Sequence, residues 1–329
     1  IVGSCINENY FENVKNVEIR EKLTRLLIEK QEDLDNFANV LAQHGAKVYR
    51  PFVDSDKRMN PDKKQKRLDM ITVQPRDEIG VLGNNIYFSS VIGGEQRMPS
   101  VELYQKTLGA KNIINKSSSP WVQLLRKKIY VELPSWTMVG KDIFIDGNDP
   151  VNNNMAQKIQ DFIDRWLPDT NVHVLDIGAH NDFHTCKPGV IISLKEVQNY
   201  SETFPNWEVL YLPDAWWNTM EDFIKAKANT KGKYWLPGEE NNQGLLNFIN
   251  LWLEDWLGYS EETVFDVNMF MINETTVCVS NYNKDVFDYF KKHRIDPIIV
   301  PLRHRFFWDG GLHCCSVDLV REGDQQSYI

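Results

Sequence analysis

Five times along the chain a short apolar run, a helix-like stretch and a second short apolar run follow one another, and this rhythm limits the folds open to the sequence. The first unit pairs residues 1–3 with a helical stretch at 19–44, ended by Gly45, and a run at 47–50. The second joins 85–90, 101–108 and 112–115; the third joins 142–146, 155–166 and 172–176. The fourth runs through 190–193, 197–203 and 208–212, and the fifth through 276–280, 284–294 and 298–302. A single unit of this kind leaves an apolar face uncovered, so repeated copies stack into a solenoid or close into a ring. A doubly wound α/β sheet shows the same alternation and stays open as an alternative. No Gly-x-Gly-x-x-Gly stands between a strand and a helix, and no phosphate-loop lysine motif occurs, which argues against nucleotide cofactors.

A chain of 329 residues that is 42% hydrophobic, with ten tryptophans and sixteen phenylalanines, fills one large or two ordinary domains. The net charge of −9 opposes a nucleic-acid surface. Apolar runs such as 298–302 fall far short of the ~20 residues that cross a bilayer, so no membrane partner is expected. The chain begins at Ile1 within an expected strand, which implies that the native N-terminus, with any targeting peptide, lies before it. Five cysteines, at 5, 186, 278, 314 and 315, are odd in number, lack zinc-site spacing and include an adjacent pair, which predicts a reducing cytoplasm. The tract 214–258 is rich in tryptophan and is expected to form an inserted helical cap.

Chemistry concentrates near the end of the chain, in Trp308-Asp309-Gly310-Gly311-Leu312-His313-Cys314-Cys315-Ser316. Paired glycines allow backbone and ligand to approach closely, and a thiol there is a candidate nucleophile. A thiolate needs a proton shuttle, and histidine titrates near neutrality. His180, in Gly178-Ala179-His180-Asn181-Asp182, stands two residues from a carboxylate; on an extended chain both point to one side. His184 and His313 read as structural, and a metal site of His180, Asp182 and His184 is the rival reading. Asp77, in Gln74-Pro75-Arg76-Asp77, is a second candidate carboxylate, although Pro-x-Asp is also an ordinary turn.

In order, Pro75-Arg76-Asp77, Glu132 with Gly140-Lys141-Asp142-Ile143-Phe144, His180-x-Asp182 before Pro188-Gly189, and Gly310-Gly311-Leu312-His313-Cys314 resemble the amidinotransferases. The tail Val317-Asp318-Leu319-Val320-Arg321-Glu322-Gly323 with Gln326-Ser327-Tyr328 is similar to the end of that domain, so the resemblance spans nearly all of the chain. The guanidino-modifying superfamily to which they belong also holds arginine deiminases and dimethylargininases. The resemblance implies a five-bladed α/β propeller, the pentein fold, of ββαβ modules around a central site, with residues 1–329 as one catalytic domain. It implies Cys314 as nucleophile, His180 as proton shuttle, Asp77 and Asp182 gripping the substrate guanidinium, and Glu132 orienting His180. Glu132 stands in Glu132-Leu133-Pro134-Ser135, where the family usually has two small residues and an aspartate after it. Lys195 is a further candidate for binding a substrate carboxylate, and Arg303 for binding one or shaping the pocket.

What the resemblance implies chemically is transfer of the amidino group of arginine to an amine acceptor, glycine or another primary amine. An amidino-cysteine intermediate, ornithine release, no metal or organic cofactor and a possible homodimer go with it. A deiminase-like hydrolase would share the core residues, and a non-catalytic propeller would share the fold.

Overall fold

The computed structural model describes residues 1–65, 73–77, 79–88, 112–114, 136–146, 157, 160–161, 163–165, 167–175, 183–194, 200–212, 228, 230, 234–254, 267–308, 310–323 and 326–328. Its longest element is α1, Val17–Gln43. The Asn16 side chain caps it by accepting from the Ile19 amide at 3.2 Å. Ile19, Leu23, Leu26, Leu27, Leu34, Phe37 and Leu41 recur at helical spacing and form its buried stripe. Lys30 and Asp33 are buried on the same side. At the C-terminus Gly45 takes φ +88°, the Ala46 amide donates to Leu41 and the Gly45 amide to Ala42, which closes the helix as a Schellman motif.

Among the described residues four three-stranded sheets follow, all of one pattern. They are β1 Ile79–Leu82, β2 Asn85–Phe88 and β3 Asn112–Ile114; β4 Trp136–Val139, β5 Asp142–Asp146 and β6 Asn171–Leu175; β7 Phe183–Lys187, β8 Val190–Ser193 and β9 Glu208–Tyr211; β10 Phe270–Asn273, β11 Thr276–Val279 and β12 Asp296–Ile299. The first two strands of each form an antiparallel hairpin, and the third runs parallel to the second, with pairs such as Ile143 with Val172 and Cys278 with Ile298. Two residues join each hairpin, and Gly140 and Gly189 hold the positive φ that such tight turns demand, +59° and +87°. A parallel partner needs a crossover. In the third sheet it contains α2, Tyr200–Thr203, and in the fourth the helix Lys284–Lys292, here α4; α3 is Gln243–Trp252 and α5 is Arg305–Trp308.

The strand-helix-strand alternation is present in the third and fourth sheets, and each sheet adds a leading strand to the unit. The expected helix at 101–108 lies outside the described residues, as does half of 155–166. The last strand begins at Asp296, before Pro297, not at 298. Proline is accommodated because β12 bonds a neighbour on one side only. Residues 1–3 and 47–50 do not form strands: Val2 makes a single antiparallel bridge to Ser316, and its amide donates to Tyr49 at 3.0 Å. Among the described residues the sheets are separate and none closes on itself.

The largest apolar cluster joins α1 to Leu245, Leu246 and Ile249 of α3, to Trp308 and to Leu312 and Cys315. The described part of tract 214–258 therefore contributes to the main core. A second cluster packs β7–β9 against β10, β11 and α4.

Candidate active site

Cys314 sits in a tight turn in which the Cys315 amide donates to Gly311 and the Ser316 amide to His313, each at 3.1 Å. The turn is buried: Cys314 is 3% exposed and Cys315 is fully enclosed. Their sulfurs have different surroundings. Cys315 Sγ faces the main core and accepts from the buried Lys30 amine at 3.5 Å, whereas Cys314 Sγ accepts from Asn268 Nδ2 at 3.0 Å.

The paired glycines have a definite use. A Cβ on Gly310 would collide with Gln74 Nε2, and one on Gly311 would lie 2.5 Å from Asn268 Cγ. The room that the sequence reading kept for a ligand beside the glycines is filled by two amide side chains. Gln74 Nε2 donates to Trp308 O at 2.7 Å, and Asn268 Oδ1 accepts from the amides of His313 and Cys314 at 2.9 and 3.2 Å.

Next to Gln74, the single 3-10 turn Pro75–Asp77 lies against the same loop. Arg76 Nε donates to His313 O at 2.9 Å, bridging 237 positions of sequence. Its other end pairs with Asp318, and Asp318 in turn pairs with Arg321, whose guanidinium also donates to Met271 O of β10 at 2.6 Å. Burial would raise the Asp318 carboxyl, but Arg321 and Arg76 overrule it and hold it below the usual carboxylate range. The motif that begins with Pro75 thus reaches the cysteine turn through the Arg76 side chain.

β7 starts one residue after Asp182, and its His184 ring meets the His313 ring edge-to-face at 5.9 Å. Burial, reinforced by the positive charge of Arg76 and Arg321, lowers the His184 pKa from 6.5 to about 3. His313 is lowered for the same reasons, burial first. Both rings are therefore neutral at physiological pH, in keeping with their reading as structural. His184 Nε2 and His313 Nδ1 have no hydrogen-bond partner among the described residues.

His180, Asp182, Glu132 and Lys195 lie outside the described residues. Arg303 is described, and its guanidinium has partners other than the expected substrate carboxylate. It donates to Asp33 at 2.7 Å, to Glu32 at 2.7 Å and to the Glu29 carbonyl at 2.6 Å, so it ties the chain before α5 to helix α1. A carboxylate buried on the helix stripe supplies the fixed charge that an arginine in this position meets first.

Asn268, Gln74 and Lys30 were missed by the sequence reading. Two had a faint signal: Asn268 and Lys30 are polar residues set within otherwise apolar patterns, in Val267-Asn268-Met269-Phe270 and on the α1 stripe.

No family model matches the chain. An L-arginine:L-lysine amidinotransferase from Pseudomonas savastanoi pv. phaseolicola is 22% identical over 339 residues, covering 91% of this chain and 80% of that protein. Among solved structures, an amidinotransferase of saxitoxin biosynthesis from Microseira wollei superposes with a TM-score of 0.62 at 18% identity, over 100% of this chain and 95% of that one. The inosamine-phosphate amidinotransferase of Streptomyces griseus gives 0.62 at 15% identity, over 99% and 93%. A dimethylarginine dimethylaminohydrolase gives 0.52 at 11% identity, over 88% and 91%. The near full-length match in sequence and the fold shared with solved amidinotransferases make this chain similar to the amidinotransferases.

Proposed function

We propose that the protein transfers the amidino group of arginine to a primary amine, with Cys314 as nucleophile, on a five-bladed propeller. The observation that supports this reading is the meeting at His313, the neighbour of Cys314, of Arg76 from the Pro75–Asp77 turn and of His184 from the strand that follows His180-x-Asp182. Cys314 is favoured over Cys315 because the latter's sulfur is turned to the core beside Lys30.

In this mechanism Asp77 and Asp182 grip the planar guanidinium through paired hydrogen bonds, which hold its central carbon toward the sulfur. The Cys314 thiolate attacks that carbon, the carbon–nitrogen bond to the departing amine breaks, and His180 gives the amine its proton, releasing ornithine. Glu132 orients His180. The acceptor amine then loses a proton to His180, attacks the amidino carbon and frees the thiolate, so the kinetics are ping-pong and no cofactor takes part. Lys195 is a candidate for holding a carboxylate of donor or acceptor. The acceptors in the relatives' names, L-lysine and inosamine phosphate, mark the amine classes to try beside glycine. Five free cysteines fit a reducing compartment such as the cytoplasm.

The second reading is hydrolysis, favoured by the fold shared with dimethylarginine dimethylaminohydrolase. Incubation with arginine and a panel of glycine, lysine, inosamines and polyamines separates the two. Ornithine appearing only with an acceptor supports transfer, while citrulline in its place refutes it. Cys314→Ala should abolish product and Cys315→Ala should largely preserve it. Mass spectrometry of the quenched enzyme should find an amidino adduct on Cys314.

A further inference from the structure

Asn268 stands at the head of β10, 1% exposed, and every polar atom of its side chain is turned to the cysteine loop. Its orientation follows from the backbone. Two amides, those of His313 and Cys314, point at one end of its side chain, and only the carbonyl oxygen can accept from them. The amide nitrogen must then occupy the other end, where it lies 3.0 Å from Cys314 Sγ. The Leu312 amide adds a third bond to the same residue, donating to the Asn268 carbonyl at 3.1 Å. Gly311 completes the fit, since any side chain there would enter the space that Asn268 fills.

We infer that Asn268 is a catalytic residue of this site: its side-chain amide donates to the Cys314 sulfur, stabilises the thiolate, and fixes the sulfur's position through the two backbone bonds made by the same side chain. The inference rests on the reading of Cys314 as the nucleophile. Its physical basis is general. A buried thiolate is disfavoured by loss of water, and a fixed hydrogen-bond donor favours the charged form without adding a competing base. A carboxamide suits the task because it presents a donor and an acceptor on one rigid plane. Aspartate in its place would keep the two backbone bonds and set a negative charge beside the sulfur.

The test reads the thiolate directly and needs no substrate. Difference absorbance at 240 nm between wild type and Cys314→Ala, followed with pH, gives the titration of Cys314. The expected midpoint lies below the ~8.5 of a free cysteine. A midpoint at or above that value overturns the inference, whatever the variants do. Asn268→Asp should move the midpoint upward by about one pH unit or more and slow iodoacetamide alkylation of Cys314 at pH 7 by roughly tenfold. Asn268→Ala, which removes the donor without adding charge, should shift the midpoint in the same direction by less. Circular dichroism and melting identify variants that fold. A folded variant with an unchanged alkylation profile overturns the inference, even when its turnover falls, because a purely structural role leaves the profile in place. Ornithine release by Cys314→Ala would instead overturn the proposed nucleophile, leaving the alkylation profile to judge the contact between Asn268 and the sulfur.

Discussion

Acid should destabilise this protein well above the pH at which carboxylates titrate, and His184 supplies the reason. Its pKa is about 3 when folded, against 6.5 for an ordinary histidine. Below pH 6.5 the unfolded chain binds a proton that the folded chain refuses, so each pH unit of further acidification removes about 1.4 kcal/mol of stability. Between pH 6.5 and 5 the loss from this one ring is about 2 kcal/mol. His313 acts in the same direction, being held down by burial, Arg76, His184 and Arg321. Asp142, Asp318 and Glu29 are lowered carboxyls, so their contributions are present at pH 5 and decline only as acid reaches the carboxylate range. Urea unfolding followed by tryptophan fluorescence at pH 7.5 and pH 5 measures the effect. Wild type should lose at least ~2 kcal/mol between the two, and His184→Gln should lose about 2 kcal/mol less than wild type. Equal losses in the two proteins would show that His184 is not held neutral by its surroundings, and the reasoning would fail.

Three further outcomes follow from the same contacts. Gly311→Ala drives a methyl group against Asn268 Cγ and Cβ, at 2.5 and 2.6 Å, and should lower stability by about 1–3 kcal/mol while slowing turnover, read by thermal melting and product formation. Arg303→Met takes a partly exposed guanidinium from the buried Asp33 and should destabilise by about 1 kcal/mol in urea, with the KM for arginine changed less than about twofold; a tenfold rise in KM would return Arg303 to the substrate pocket. In Asp142→Asn the C-terminal contacts to Ser327 and Tyr328 weaken. Burial alone would raise the Asp142 carboxyl, but His173, the Tyr328 amide, Asn171 and Ser327 hold it low, so this variant's deficit in urea should be present at pH 7 and close as pH falls below the ordinary carboxyl value of 3.8.

The alternation of strand and helix was legible because side-chain periodicity is a local property, and β5, β8 and β11 are short apolar runs that begin at the residues expected. The leading strands β4, β7 and β10 were harder to read. His184 and Lys187 interrupt β7, and Asn273 ends β10, so neither presents a plain apolar run. Cys314 and the motif containing Asp77 were legible as motifs, yet neither announced its partners. Gln74 and Arg76 looked like the approach to a turn, and only the fold shows them gripping Trp308 O and His313 O. The partners of Arg303 were hidden for a related reason. A cation near a cysteine loop invites a substrate carboxylate, but Asp33 comes from 270 positions away, where no local pattern could announce it.

The cysteine turn has few bonds of its own and many from elsewhere. Gln74 and Arg76 hold it from before β1, Asn268 from the head of β10, Lys30 from α1, and Val2 and Gly3 from the start of the chain. These contacts bridge separations of 46 to 285 residues in the cases of Asn268 and Lys30, so none forms until distant parts of the chain have come together. Closing such loops costs conformational entropy, and the burial shared by α1, Trp308, Leu312 and Cys315 in one core helps to offset it. The turn carrying the proposed nucleophile is therefore a product of the whole fold. A substitution in α1, far from Cys314 in sequence, can displace its sulfur as effectively as one beside it, and Lys30 and Asp33 are where that effect should be greatest.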